Sequence, residues 1–92
     1  RAPRAGVLKQ SMAADALIIE LKTGDKRTRH AAAENLGAIQ AERAVPPLID
    51  AMRDAELRFP AENALIRITG QRLGDDPDVW LKYWREKRKD HP

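Results

Sequence analysis

The sequence contains no cysteine, which excludes disulfides, zinc sites built on thiolates and cysteine nucleophiles. The same absence leaves the cellular compartment open, and we favour the cytoplasm. Aromatic residues are scarce, with two Trp, one Tyr and one Phe, so the core must be built mainly from Leu, Ile, Val and Ala. No apolar run approaches the roughly 18 residues that a spanning helix needs, so we expect no membrane contact.

What the chain does contain is an internal repeat. The stretch that begins at Asp25 occurs a second time about 30 positions later, beginning at Asp54. Four pairs of residues occupy the same place in the two copies: Asp25 and Asp54, Arg29 and Arg58, Leu36 and Leu65, and Ile39 and Ile68. Repetition at this spacing is typical of a solenoid, in which neighbouring units of the same kind stack on one another.

Apolar residues at three- and four-residue steps predict a first helix that begins at Ser11 and ends at Gly24. Asp25 is the predicted N-cap of the second helix, since its carboxylate can accept from the exposed amides of the first turn. Gly37 lies in the middle of that second helix. Because glycine costs about 1 kcal/mol there relative to alanine, we expect a neighbouring backbone close to it.

The third predicted helix covers residues 44–52 and has two prolines in its first turn, where their missing amides cost nothing. Asp54 is expected to repeat the capping role of Asp25 for the fourth helix, which ends at Gly70. Pro60 would then lie too deep in that helix, so a late start or a kink is expected. A fifth helix is predicted from Asp76 onward.

These elements divide the chain into a linker or frayed end at 1–10 and one domain at 11–92. The domain comprises a first repeat at 11–41, a second repeat at 42–70, and a turn with a capping helix at 71–92.

The two copies, Asp25-Arg29-Ala32-Leu36-Ile39 and Asp54-Arg58-Ala61-Leu65-Ile68, resemble the short bacterial HEAT-like repeats, including those of the phycobilin-lyase type. The segment from Gly70 to Trp84 is similar to the tryptophan-bearing segment that often ends such arrays. The resemblance implies an all-α fold, an α-solenoid of two HEAT-like hairpins plus a C-terminal capping helix. Because the chain begins at Arg1 rather than methionine, we read it as a piece of a longer protein or as a processed chain. With the resemblance, we expect the C-terminal end of a longer array or a small stand-alone unit.

Each candidate site can also be explained by a structural role. The Asp-Arg pairs of both copies have the spacing of acid–base pairs, but in such repeats they look structural. His30 and Glu34 lie one helical turn apart and could start a metal site, yet zinc needs three or four ligands, so a solvent-facing histidine is favoured. Trp80 and Trp84 could grip a partner, as tryptophan does at hot spots; covering the end of the stack is the favoured interpretation.

A partner-binding groove is predicted between the second and fourth helices. Its candidate residues are His30, Glu34, Phe59, Glu62 and Ile66. Phe59 and Ile66 fall off the buried stripe, on the face that lines the concave surface in HEAT-like folds. Whether this apolar pair faces a groove or packs against the closing helix stays open.

The function expected from these observations is a non-catalytic protein-binding or scaffolding module that needs no cofactor. One alternative is an accessory repeat region of an enzyme, such as a bilin-lyase-like protein. A second alternative is nucleic-acid binding through the basic C-terminal helix, although glutamates interrupt the basic residues elsewhere. Self-association is a further expectation, through Ala13, Ala16 and Glu20 on the outer side of the first helix.

Overall fold

The computed structural model describes residues 3–89, and the side chains of residues 12–88. Throughout this part of the chain the regular structure is helical. The elements are α1 (Pro3–Thr23), α2 (Lys26–Ala38), a 3₁₀ turn (Glu42–Ala44), α3 (Val45–Ala51), α4 (Arg58–Thr69) and α5 (Pro77–Lys89). Helix α1 pairs with α2 and α3 pairs with α4, while α2 packs on α4 and α1 on α3. The predicted all-α stack of two hairpins is therefore confirmed, with α5 against α3.

The first helix begins earlier than the sequence indicated. We expected a linker or frayed end over residues 1–10 and a helix start at Ser11, but α1 begins at Pro3, so Ser11 lies inside it and is not its N-cap. Proline favours the first helical turn because its fixed φ is already suitable and its missing amide has no partner there. Residues 3–10 thus belong to α1.

The start of α4 separates the roles of the two repeated aspartates. Asp25 is the N-cap of α2, and its Oδ1 accepts from the Thr28 amide at 2.8 Å. Helix α4 begins only at Arg58, after the N-cap Leu57, so the expectation that Asp54 caps it is wrong. The reason is Pro60, which is tolerated only within the first turn. The late start that Pro60 predicted is confirmed.

The two repeated arginines bind the end of the helix before their own. Arg29 Nε donates to the Leu21 carbonyl at 2.9 Å, and Arg58 Nε donates to the Met52 carbonyl at 3.3 Å. Helix-end carbonyls have no partner inside their own helix, so each arginine satisfies one of them. Both hairpins are therefore closed by the same type of contact.

The core lies between the hairpins and is built from aliphatic residues and Trp80. Leu36 and Leu65, which occupy the same place in the two copies, are both fully buried, while Ile39 and Ile68 pack against the core from its margin. All the fully buried side chains with large volume are apolar: Trp80, Leu21, Leu36, Leu48, Met52, Leu57, Leu65 and Val45. Among the described residues no buried polar side chain lacks a hydrogen-bond partner.

Helix α5 closes the stack on the side of α3. Trp80 is fully buried, its ring nitrogen donates to the Gly74 carbonyl at 2.7 Å, and its ring meets Tyr83 edge-on at 6.2 Å. Trp84 is half-buried against the core. Arg53, in the turn after α3, forms an ion pair with Asp78 of α5 at 3.1 Å. In this position Trp80 is not accessible to a partner.

Candidate protein-interaction surface

A cleft of about 380 Å³ opens between α2 and α4, where the sequence predicted a groove. Its wall and floor combine polar and apolar side chains from both helices and from the loop after α4. The lining residues are Glu34, Pro60, Asn63, Ala64, Ile66, Arg67 and Arg72. Because residues of both α2 and α4 line the cleft, its shape depends on how closely these helices approach.

Gly37 allows α2 to lie close to α4. A Cβ added at Gly37 would lie 2.8 Å from the Cα of Ala64 and 3.0 Å from its Cβ, so the glycine is required by contact with the neighbouring backbone. This confirms the expectation drawn from glycine in mid-helix. The Cδ of Arg67 lies 3.5 Å from the same point. The aliphatic stem of Arg67 therefore lies along α2, and its guanidinium is placed at the cleft.

Gln40 connects the C-terminal ends of α2 and α4. It follows α2 with a positive φ of 53°, a conformation that residues other than glycine seldom adopt. Its amide donates to the Gly37 carbonyl at 3.1 Å, while Ala41 N donates to the Leu36 carbonyl at 3.2 Å, which is the bonding pattern of a Schellman motif. The Gln40 side chain then donates to the Arg67 carbonyl at 3.1 Å, joining the ends of α2 and α4.

Positively charged residues outnumber negatively charged ones around the cleft. Glu34 is the single acid among the lining residues, and its carboxylate lies 3.7 Å from His30 Nδ1 on the next turn of α2. Arg67 and Arg72 are exposed and form no ion pair with any described carboxylate. The cleft therefore holds two guanidinium groups that are available to an external anion.

Two shallower depressions adjoin the cleft and extend it along α2. One, of about 500 Å³, shares Glu34 and includes Arg27 and His30. The other, of about 400 Å³, shares Arg67 and includes Gly37 and Gln40. Together they form a continuous surface along α2, which we call the α2–α4 surface.

The predicted groove residues divide into two groups. Glu34 and Ile66 line the cleft, and His30 lines the adjoining depression. Ile66 also packs partly against the core. Phe59 is 66% exposed and Glu62 is half-buried, and both lie outside the residues that line the cleft.

Sequence reasoning missed Asn63, Arg67 and Arg72. Asn63 occupies the position in the second copy that Glu34 occupies in the first, so the repeat itself could have identified it. Arg67 follows one turn later on the same helix. Arg72 is in the loop after α4, and its place beside the cleft follows only from the path of the chain after Gly70.

Asp25 immediately precedes α2. The amide and then the hydroxyl of Thr28 hold the pKa of its carboxyl below the ordinary value. This is the effect expected when hydrogen bonds favour the charged form of a carboxylate. Its role in the structure is that of a helix cap.

The outer face of α1 is a second exposed surface. Ala13, Ala16 and Glu20, the residues predicted for association, are all exposed. Met12 and Ile19 lie on the same outward side, 70% and 61% exposed. These two large apolar residues were not part of the prediction.

Other classes of site find little support in the described part of the chain. No group of three or more His, Asp or Glu side chains between residues 3 and 89 could hold a metal ion. None of the described helices is long and apolar enough to cross a membrane. On the basic α5, Lys87 lies over the Tyr83 ring, 5.8 Å from its centroid.

Comparison with known proteins gives one family match. The model of the PBS lyase HEAT-like repeat matches residues 28–54, from the first turn of α2 to the turn that follows α3. No curated protein and no solved structure matches the chain. The matched unit joins the second helix of one hairpin to the first helix of the next.

Proposed function

Because the chain carries a HEAT-like repeat in an all-helical stack, we propose that it is a non-catalytic protein-binding or scaffolding module that acts through the α2–α4 surface. HEAT-like repeats generally serve protein interaction or scaffolding. The observation that carries the proposal is the cleft between α2 and α4, open to solvent and lined by both apolar and charged side chains.

The residues that line the cleft are better suited to binding a peptide than to catalysing a reaction. Pro60, Ala64 and Ile66 offer an apolar floor, and Asn63 offers an amide that donates and accepts hydrogen bonds. Mixed apolar and polar walls of this kind are common where a protein surface receives a segment of another chain. Phe59, exposed one turn before Asn63, adds an aromatic side chain of the kind enriched in the cores of protein interfaces.

Selection from a random peptide library displayed on phage, with the chain as bait, tests the proposal. Binders are expected to lose affinity when Asn63→Trp fills the cleft, because the new ring occupies the space that the peptide needs. Lys82→Trp, at an exposed site on α5, is the matched control and should retain binding. Failure to select any binder, or equal binding by both variants, would contradict a peptide site at this cleft.

The contribution of Phe59 can be measured separately. Since Phe59 is exposed, Phe59→Ser should leave the melting temperature nearly unchanged and weaken peptide binding. Ile66→Ser is a poorer test because Ile66 also packs against the core and its loss will lower stability. Unchanged affinity in Phe59→Ser would place Phe59 outside the binding surface.

We also infer that the outer face of α1 associates with a second copy of the chain. Met12 and Ile19 lie two turns apart with Ala16 between them, so they form an apolar stripe where another helix can approach closely. Sedimentation velocity at increasing concentration should reveal a dimer that Ile19→Glu abolishes. A wild-type chain that remains monomeric at about 100 μM, where a dimer with a Kd of about 1 μM would be mostly formed, would contradict this.

A further inference from the structure

We propose that the α2–α4 surface recognises an acidic peptide segment whose carboxylates bind Arg67 and Arg72. This inference rests on the proposed function, since it names the chemistry of the partner that the same cleft would receive. It follows from the charges that face the cleft and from the apolar residues between them.

Several other cations of the described chain are paired internally with carboxylates. Lys26 lies 3.1 Å from Glu56, and Arg29 lies 3.1 Å from Asp54. Arg53 lies 3.1 Å from Asp78. Arg67 and Arg72 have no carboxylate partner among the described residues, and both line the same cleft, so an external acid can pair with both of them there.

Both arginines line the cleft, and contacts with α2 position Arg67. The stem of Arg67 lies against Gly37, and its carbonyl accepts from Gln40, so the end of α4 cannot shift easily relative to α2. Arg72 comes from the loop on the other side of Gly70, which ends α4 with a φ of 74°. A guanidinium held in place can bind a carboxylate with two parallel hydrogen bonds, the strongest pairing available to it.

The acid in the wall does not cancel this charge. Glu34 is a single carboxylate against two arginines, and it lies beside His30. Arg27, in the adjoining depression, adds another cation without an ion pair in the described chain. The balance along the surface is therefore positive, and it favours an acidic ligand over a basic one.

The apolar floor favours a peptide over a nucleic acid. Pro60 and Ile66 can receive an aliphatic side chain between two acidic residues, whereas no aromatic ring lines the cleft for a base to stack on. A phosphate backbone would also need a basic stripe without an acid such as Glu34 in its path. The segment that fits combines Asp or Glu with one apolar residue.

The sequences enriched from the random peptide library provide the first test. The expected result is enrichment of peptides with net negative charge and an apolar residue between acids. Binders that are neutral or basic would leave the proposed function standing and overturn the acidic inference. Failure to obtain any binder would contradict both the acidic inference and the proposed function.

The enriched peptide, labelled with fluorescein, then serves in anisotropy titrations. Arg67→Gln combined with Arg72→Gln should weaken binding about tenfold or more, because two charge-assisted contacts are lost. Arg85→Gln combined with Arg88→Gln removes the same charge from α5 and should change the Kd by less than about twofold, the margin left for long-range screening. Equal losses in the two double variants would reduce the effect to net charge and overturn the assignment.

The peptide itself supplies a second control. Replacing its Glu and Asp by Gln and Asn should reduce affinity for the wild type while leaving the already weak binding of the Arg67→Gln, Arg72→Gln variant unchanged. A labelled single-stranded RNA oligonucleotide is titrated in parallel. RNA bound more tightly than the peptide, and lost in the same double variant, would assign the surface to a phosphate backbone instead.

Discussion

Arg29 of the first hairpin donates to Asp54 of the second, with 3.1 Å between Nη1 and Oδ2, while its Nε donates to the Leu21 carbonyl. One side chain thus joins the end of α1, the start of α2 and the turn before α4. Asp54 is available for this contact because it does not cap α4; its other oxygen accepts from the Glu56 amide at 3.0 Å. The repeated Asp and Arg therefore meet between hairpins.

Arg29→Met should lower the free energy of unfolding by about 1–3 kcal/mol, because it leaves a helix-end carbonyl and a carboxylate without their donor. Arg58→Met is the matched comparison, since Arg58 has the carbonyl contact but no ion pair in the described chain. A cycle of Arg29→Met with Asp54→Asn should give a coupling of about 0.5–1 kcal/mol, as for partly exposed pairs. Urea titration measures each variant, and zero coupling would show that the pair contributes nothing to stability.

The two copies also make the core testable. Leu36→Ala and Leu65→Ala should each cost about 2–5 kcal/mol in unfolding free energy, since both side chains are fully buried. Because the residues occupy the same place in the repeat, the two losses should be similar. Ile68→Ala, at a half-buried site, should cost less. A loss below about 1 kcal/mol at either leucine would contradict its place in the core.

Much of the fold could be predicted from the repeat, because helix faces, buried leucines and a glycine at a close contact all follow from local spacing. The start of α5 at Pro77 and the end of α4 at Gly70 were predictable for the same reason. The late start of α4 followed from Pro60. The start of α1 was missed, since the small and polar residues before Ser11 show no clear apolar period.

The cleft was harder to predict than the fold. The pairing of α2 with α4 follows from the repeat, and of the residues predicted for the groove Glu34 and Ile66 line the cleft. Arg72 reaches the cleft through a loop, and a loop has no periodicity from which to read its path. Arg29 also reaches Asp54 only because the hairpins stack. Contacts between units thus depend on packing that a single repeat does not encode.

Gly37→Ala tests the close contact beneath the cleft. Alanine is the better helix former by about 1 kcal/mol, yet its Cβ would lie 2.8 Å from the Cα of Ala64. The steric clash should outweigh the gain in helix propensity. We expect a net destabilisation of about 1–3 kcal/mol, measured by thermal or urea unfolding. Asn35→Ala, at an exposed site on the same helix, should be neutral or slightly stabilising. A more stable Gly37→Ala variant would mean that α2 and α4 lie further apart.

Asp25 predicts a dependence of stability on pH. Thr28 lowers the pKa of its carboxyl in the folded chain, so the charged form is favoured by folding. The resulting stability is present above the pKa of the unfolded chain and is lost as pH falls through the lower, folded pKa. Asp25→Ser retains a cap without the charge. The difference in unfolding free energy between wild type and Asp25→Ser should therefore shrink in acid, and a difference independent of pH would contradict the assignment.

Removal of α5 tests whether it closes the stack. A chain ending before Asp76 loses Trp80, which is fully buried, and exposes the side of α3 on which α5 packs. An uncovered apolar face in a repeat stack favours aggregation or dimerisation, so light scattering and sedimentation should detect larger species. Trp80→Phe is the milder variant: it retains an aromatic ring but loses the bond to Gly74, at a cost of about 1 kcal/mol. If the shortened chain stays monomeric with an unchanged melting temperature, α5 is not a cap.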